Sequence, residues 1–314
     1  MKFFAILLGL HILTIASVSV YADEEQQAVL VTGASSGIGL RITEVLSSNG
    51  YLVYAGARKE VDLKRLQTMP NVESVRLDVT VQSDIDAAVN LISTRGLGLY
   101  GLINNAGITM AGPLVEVPVA ELEWLFNVNV YGPYRMTQAF APLIIESKGR
   151  IVTIGSVLGI FSGSMSGHYS MSKHAMEAFT DSLAAEMERF GVNVSLIEPG
   201  TYASNAGKAA SERLEEKAYW SESSAYKNEF IFLKLAQSRG SSGKDPEDVA
   251  KAVMQALSAD RPKRRYMVAP DASTANMTIS KAIDRMLELN QEQAYSMSRE
   301  QLVEIIDRKL KRPN

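Results

Sequence analysis

Along the chain, short apolar runs rich in β-branched residues alternate with stretches whose apolar positions recur at helical spacing. Six runs read as strands: Ala28–Thr32, Tyr51–Ala57, Val72–Leu77, Gly101–Asn104, Arg150–Ile154 and Asn193–Ile197. A helix follows the first run through Ser48, and two long helical patterns cover about 118–146 and 169–190. Strands of continuous apolar character, separated by helices, predict a parallel sheet covered on both faces. The fold class is therefore α/β, a doubly wound parallel sheet. Beyond Gly200 the rhythm breaks. Residues 201–242 are polar and helix-prone, with aromatic clusters at Tyr219-Trp220 and Phe230-Ile231-Phe232. Asp245-Pro246-Glu247-Asp248 reads as a helix start, because acids and an early proline suit unpaired N–H groups. Arg265–Val268 reads as a closing strand, and Ser298-Arg299-Glu300-Gln301 has capping-box spacing in a charged, helical tail.

Composition narrows the chemistry. The 314 residues are 46% hydrophobic and 21% charged, with a net charge of −3. That balance suits a globular chain with a sizeable core and argues against a nucleic-acid partner. The absence of cysteine excludes disulfides and thiolate nucleophiles. Three histidines and no HExxH leave no expected metal site. The first 22 residues run from Lys2 through an apolar Phe3–Val20 to Ala22, the layout of a cleaved secretory signal peptide. This predicts export to a periplasm or secretory lumen, with no integral membrane domain after cleavage. The alternative is an anchor through residues 3–20, although His11, Thr14, Ser17 and Ser19 dilute that run.

The first strand runs into Thr32-Gly33-Ala34-Ser35-Ser36-Gly37-Ile38-Gly39. Glycine suits a sharp turn where backbone must approach a pyrophosphate, and the following helix offers N–H groups and a positive dipole end. At the end of the second strand, where an acid would meet the ribose of NAD, the chain has Ala57-Arg58-Lys59. A guanidinium there can pair with a 2′-phosphate, which favours NADP over NAD as the cofactor.

Tyr169 and Lys173 stand four residues apart, on one helical face. A free phenol titrates near ~10 and is a poor base at neutral pH, and a neighbouring cation favours its ionised form. Other polar clusters fall where strands end, the place ligands collect in a parallel sheet: Asp78-Val79, Asn105-Ala106-Gly107, Ser156, and Pro199-Gly200. Asn129 lies in the long helix between the fourth and fifth strands. His168 and His174 flank the Tyr/Lys pair without being one turn from Tyr169, and read as structural.

Taken together, these motifs resemble the short-chain dehydrogenase/reductase family over about residues 27–270. The resemblance implies a single Rossmann domain with a substrate lid at about 201–242 and a helical extension at 271–314. It implies that Tyr169 exchanges the proton and that Lys173 lowers its pKa and holds the nicotinamide ribose. Ser156 would bond the substrate oxygen, and Asn129 would anchor a water relay. Asp78 and Val79 would meet the adenine, Asn105 to Gly107 would line the cofactor, and Pro199, Gly200 and Ser204 would flank the nicotinamide. It further implies a homodimer or homotetramer, and a small-molecule alcohol or ketone substrate. The aromatic lid and the likeness of residues 245–268 to steroid- and retinol-type relatives point to a hydrophobic one. Two other classes compete. Ser170-Met171-Ser172-Lys173 matches the Ser-x-x-Lys of exported serine hydrolases, yet Ser-Asp-Asn and Lys-Thr-Gly are missing. A non-catalytic dinucleotide-binding protein would have no use for Ser156, Tyr169, Lys173 and Asn129 together.

Overall fold

The computed structural model describes residues 26–204, 206–217, 224–231 and 243–311. The expected leader, Tyr219, Trp220 and Phe232 lie outside the described residues. Seven parallel strands form one sheet in the order β3-β2-β1-β4-β5-β6-β7. They are β1 (Ala28–Val31), β2 (Leu52–Ala57), β3 (Val72–Arg76), β4 (Gly101–Asn104), β5 (Arg150–Ile154), β6 (Asn193–Pro199) and β7 (Arg265–Val268). The helices are α1 (Gly37–Ser48), α2 (Glu60–Gln67), α3 (Gln82–Arg95), α4 (Val119–Asn129), α5 (Tyr131–Glu146), α6 (Gly167–Met187), α7 (Ala206–Lys217), α8 (Glu247–Ser258), α9 (Ala272–Asn290) and α10 (Arg299–Leu310).

The two-residue period of a strand sends alternate side chains to opposite faces. Val29 and Val31 join Ile42 and Leu46 of α1 and Val249, Val253 and Leu257 of α8. Leu30 joins Ile85 and Ile92 of α3, Phe140 and Ile144 of α5, and Met187 of α6. The helices therefore cover both faces, as the continuous apolar strands require. Strand order reverses between β1 and β4, which opens a crevice at their carboxyl ends.

The long pattern at 118–146 is not one helix. It divides at Val130, whose φ of −117° and ψ of −59° interrupt α4 and α5. Pro133 is the cause: its ring crowds the carbonyl of Asn129, four residues back, and it has no N–H to donate there. The tail matches expectation more closely. Ser298 and Gln301 form a reciprocal capping box at the start of α10. Along α9 only Thr278 is fully buried. No helix among the described residues is long and apolar enough to cross a membrane.

A Cβ on Gly39 would overlap the Gly33 carbonyl oxygen and Asn105 Nδ2. Because one obstacle is backbone, relief requires the turn itself to move. Gly39→Ala is expected to destabilise the fold by about 1–3 kcal/mol, read by urea unfolding. An unchanged midpoint would show that the turn is looser than this packing implies.

Candidate active site

The floor of the crevice is built by one hydroxyl and one amide. Thr32 Oγ1 accepts from the N–H groups of Asn105 (3.0 Å) and Ala106 (2.9 Å) and donates to the Ile103 carbonyl (3.3 Å). Asn105 Nδ2 donates back to the carbonyls of Thr32 (2.8 Å) and Gly33 (3.2 Å). Gly33 has φ of +65°, and a Cβ there would lie 2.9 Å from Ala106 Cα. The turn is thus pressed against β4. Ser36 begins α1 without a side-chain cap, and no acid occupies the first turn. These bare N–H groups fit a dinucleotide's pyrophosphate.

The adenosine end is charged. Arg58 Nη1 lies 3.6 Å from Asp78 Oδ2, and Asp78 Oδ1 accepts from Thr80 N (2.9 Å) and Oγ1 (2.7 Å). Desolvation raises the Asp78 pKa, but the Thr80 bonds and Arg58 outweigh it, and the carboxyl stays below its ordinary value. Val79 is buried beneath Gly132 of α5. Ser204 packs over the phosphate turn, its Cβ 3.0 Å from where a Gly37 Cβ would stand. Gly200 donates to Val268 O at 2.9 Å, and a Cβ on it would meet Pro270.

At the other end the four expected catalytic residues converge. Ser156 caps a single 3₁₀ turn after β5, its Oγ accepting from Leu158 N at 3.2 Å. That hydroxyl also bonds the Tyr169 phenol. Lys173 Nζ donates to the Ile154 carbonyl at 2.8 Å and lies 5.5 Å from the Tyr169 ring centroid. The missing Cβ of Gly107 leaves a gap, 3.5 Å from Asn129 Oδ1 and 4.0 Å from Lys173 Nζ.

The electrostatics differ from the sequence expectation. Burial pushes the Tyr169 phenol up to about 12, and the bond to Ser156 only tempers this. Burial pushes the Lys173 ammonium down to about 8. Nζ is bonded to Ile154 O and stands beside the Tyr169 ring, so burial is the larger influence on both groups. At neutral pH the phenol is protonated, the form that donates.

The Asn129 side chain has a structural task. Its Oδ1 accepts from Ile108 N (2.9 Å), and its Nδ2 donates to Ile108 O (2.9 Å) and Ser172 Oγ (3.1 Å). The side chain is committed to holding the 108 loop on α6. What Asn129 can offer a proton relay is its main-chain carbonyl, which the proline at 133 leaves without a helical donor. His168 is buried with its pKa lowered by desolvation, and His174 Nδ1 meets Ser170 O at 2.9 Å. Ser170 is fully enclosed, so it cannot serve as the nucleophile of a Ser-x-x-Lys hydrolase.

Three features escaped sequence reasoning. Arg65 of α2 donates from Nη2 to the Ser35 carbonyl at 2.5 Å. Arg213 of α7 makes a two-pronged ion pair with buried Glu121 of α4 (2.6 and 3.0 Å) and lies 3.6 Å over the Trp124 ring. One turn beyond Lys173, Glu177 meets Glu198 of β6, with Arg265 of β7 beside both (2.9 and 3.8 Å). Burial and the Glu177 carboxylate push Glu198 up to about 8, against the pull of Arg265. The pair therefore holds a proton at neutral pH.

A crevice that takes a dinucleotide, with a proton donor and a carbonyl-binding hydroxyl at its far end, defines an oxidoreductase that works through a bound nicotinamide. The short chain dehydrogenase profile matches residues 27–215, and the chain belongs to that family as an NAD(P)-dependent dehydrogenase/reductase. It is 35% identical over 249 residues to the uncharacterized oxidoreductase YbbO of Escherichia coli K12, covering 77% of this chain and 86% of that one. It is 35% identical over 272 residues to the NADPH-dependent 3-dehydrocapnine reductase of Ornithobacterium rhinotracheale, covering 82% and 94%. A solved short chain dehydrogenase/reductase from Burkholderia phymatum in complex with NAD superposes with a TM-score of 0.72 at 26% identity, covering 87% and 99%.

Two outcomes follow. Tyr169→Phe removes the proton donor and leaves the crevice intact, so turnover falls by about 10²–10⁴-fold while cofactor binding persists, measured by steady-state kinetics and fluorescence titration. Full activity would reject the assignment. Glu198 has an ordinary value of 4.5 and a folded value of about 8. Between these the folded state binds the extra proton, so its contribution to stability declines as pH rises through that window. Glu198→Gln cannot titrate, so its melting temperature should gain on the wild type between pH 5 and pH 9. A constant difference would mean the pair does not hold that proton.

Proposed function

We propose that the protein is an NADP-preferring oxidoreductase that interconverts a carbonyl and an alcohol on a hydrophobic small molecule, steroid-, retinoid- or lipid-like. The observation that carries this reading is the placement of Arg58, with no carboxylate at the end of β2, in a crevice whose far end holds Ser156 and Tyr169. The phosphate turn and the start of α1 would hold the pyrophosphate, Arg58 the 2′-phosphate, Asp78 and Val79 the adenine, and Asn105 to Gly107 the ribose side. When bound, the nicotinamide supplies or accepts the hydride.

The chain's own residues manage position and protons. Ser156 Oγ orients the substrate oxygen towards the Tyr169 hydroxyl, which donates in reduction and accepts in oxidation. Lys173 stays cationic at pH 7 and can bond ribose hydroxyls across the gap at Gly107. Met110, Val117 and Leu125 pack with Ile108 in a buried apolar cluster, and Leu114 packs on Gly167 at the head of the catalytic helix. This apolar packing behind the 108 loop supports an apolar substrate, because the segment beside the catalytic residues offers few polar groups. Tyr131 and Tyr134 of α5 and Met171 of α6 are about half exposed, which supports pairing of two copies through these helices. The apolar run Phe3–Val20, read as an export signal, supports action outside the cytosol.

The test is a rate comparison with NADPH and NADH on the protein without its leader, against aldehydes, ketones, steroids and retinoids. One charged contact to a 2′-phosphate should favour NADPH by roughly 10–100-fold in kcat/KM, on extended apolar ketones or aldehydes above short polar ones. A preference for NADH would overturn the cofactor reading, and equal activity on small polar carbonyls the substrate reading.

A further inference from the structure

Arg65 is placed where the mechanism above gives it no task. Its α2 helix follows Arg58 directly, and its guanidinium reaches back across the top of the sheet to the phosphate turn, bonding Ser35 O at 2.5 Å. Ala34 N, one residue earlier, donates to Gly56 O at 2.9 Å, which lays that turn alongside β2 just before Arg58. Arg58 follows β2 directly, and Arg65 bonds the turn that Ala34 lays against Gly56, so the two approach the carboxyl end of β2 from different elements. In this fold that is where the adenosine ribose presents its 2′ oxygen.

The local charges agree. Arg65 also touches Asp62 Oδ1 at 3.2 Å, and both of its contacts use Nη2. Among the described residues Nη1 and Nε have no partner and remain able to donate. Glu60, the other acid of the first turn, leans instead to Lys64 at 4.0 Å. Arg58 is steadied by Asp78 and its side chain is 65% exposed, so it can turn towards an anion. A guanidinium offers five donors in a planar fork, and two forks can enclose a phosphate that one only touches.

We propose that Arg65 is a second specificity-determining residue for the cofactor, closing with Arg58 on the 2′-phosphate from the phosphate-turn side. The proposal rests on the NADP reading, and its test separates the two. Calorimetric titration uses 2′,5′-ADP, which carries the 2′-phosphate, and 5′-AMP, which does not. The wild type binds 2′,5′-ADP the more tightly. Arg65→Ala, at a side chain 48% exposed, weakens 2′,5′-ADP by at least about tenfold and leaves 5′-AMP unchanged. Arg65→Lys, with a charge but no fork, falls between.

A wild type indifferent to the 2′-phosphate would sink both readings. A wild type that prefers 2′,5′-ADP, with an Arg65→Ala variant equally selective, would keep NADP and dismiss Arg65. Equal loss for both probes would also overturn the proposal, because it would show that Arg65 only braces the turn.

Discussion

Where strand order reverses, β1 and β4 separate beyond their last paired residues, and Thr32 Oγ1 fills the opening by taking the N–H groups of Asn105 and Ala106. The remaining architecture depends on that short bridge. It fixes the phosphate turn relative to the strand whose end carries Asn105 to Gly107. Gly107 in turn sets the gap between Asn129 and Lys173. A buried polar group left unmatched here would cost about 1–3 kcal/mol, and none of these groups is left so. The cofactor end and the catalytic end are thereby referred to one rigid origin.

The sheet was legible because its strands alternate within continuous apolar runs: Val29 and Val31 face one layer, Leu30 the other. The register of the six parallel pairs is a property of the folded sheet and was not legible in that pattern. Tyr169 and Lys173 were legible from spacing, because a helix converts four residues into one turn. Their environment was not legible. That Lys173 bonds Ile154 O, and that the phenol is driven upward, depends on the fit between α6 and β5. The Pro133 break could have been seen, since a proline four residues after Asn129 cannot satisfy its carbonyl. Glu177, Glu198 and Arg265 could not, because they lie on three elements that only the folded topology brings together. Arg65 likewise carries no local signal, being one of several charges on a polar helix.

One stripe of α6 carries Tyr169, Lys173, Glu177 and Asp181 at intervals of four. Desolvation moves Tyr169, Lys173 and Glu198, each towards its uncharged form. The interior along this stripe is dry enough to disfavour charge of either sign. Charge developing on a reacting oxygen would meet few competing dipoles there, so the Ser156 and Tyr169 hydroxyls act at close to full strength. Arg265 and Asp181 finish the stripe at the surface with an ion pair of 2.9 Å, where water can share it.

The chain leaves β6, crosses the phosphate turn at Ser204, and continues as α7 to the Arg213 contact on α4. It is thus moored on both banks of the crevice. Raising α7 would strip Glu121, which is only 6% exposed, of two charge-assisted bonds and lift Arg213 from the Trp124 face. Ions in solution screen so sheltered a pair weakly. The contact that ties α7 to α4 therefore depends little on ionic strength, in contrast to the exposed arginine beside Asp78 at the adenosine end.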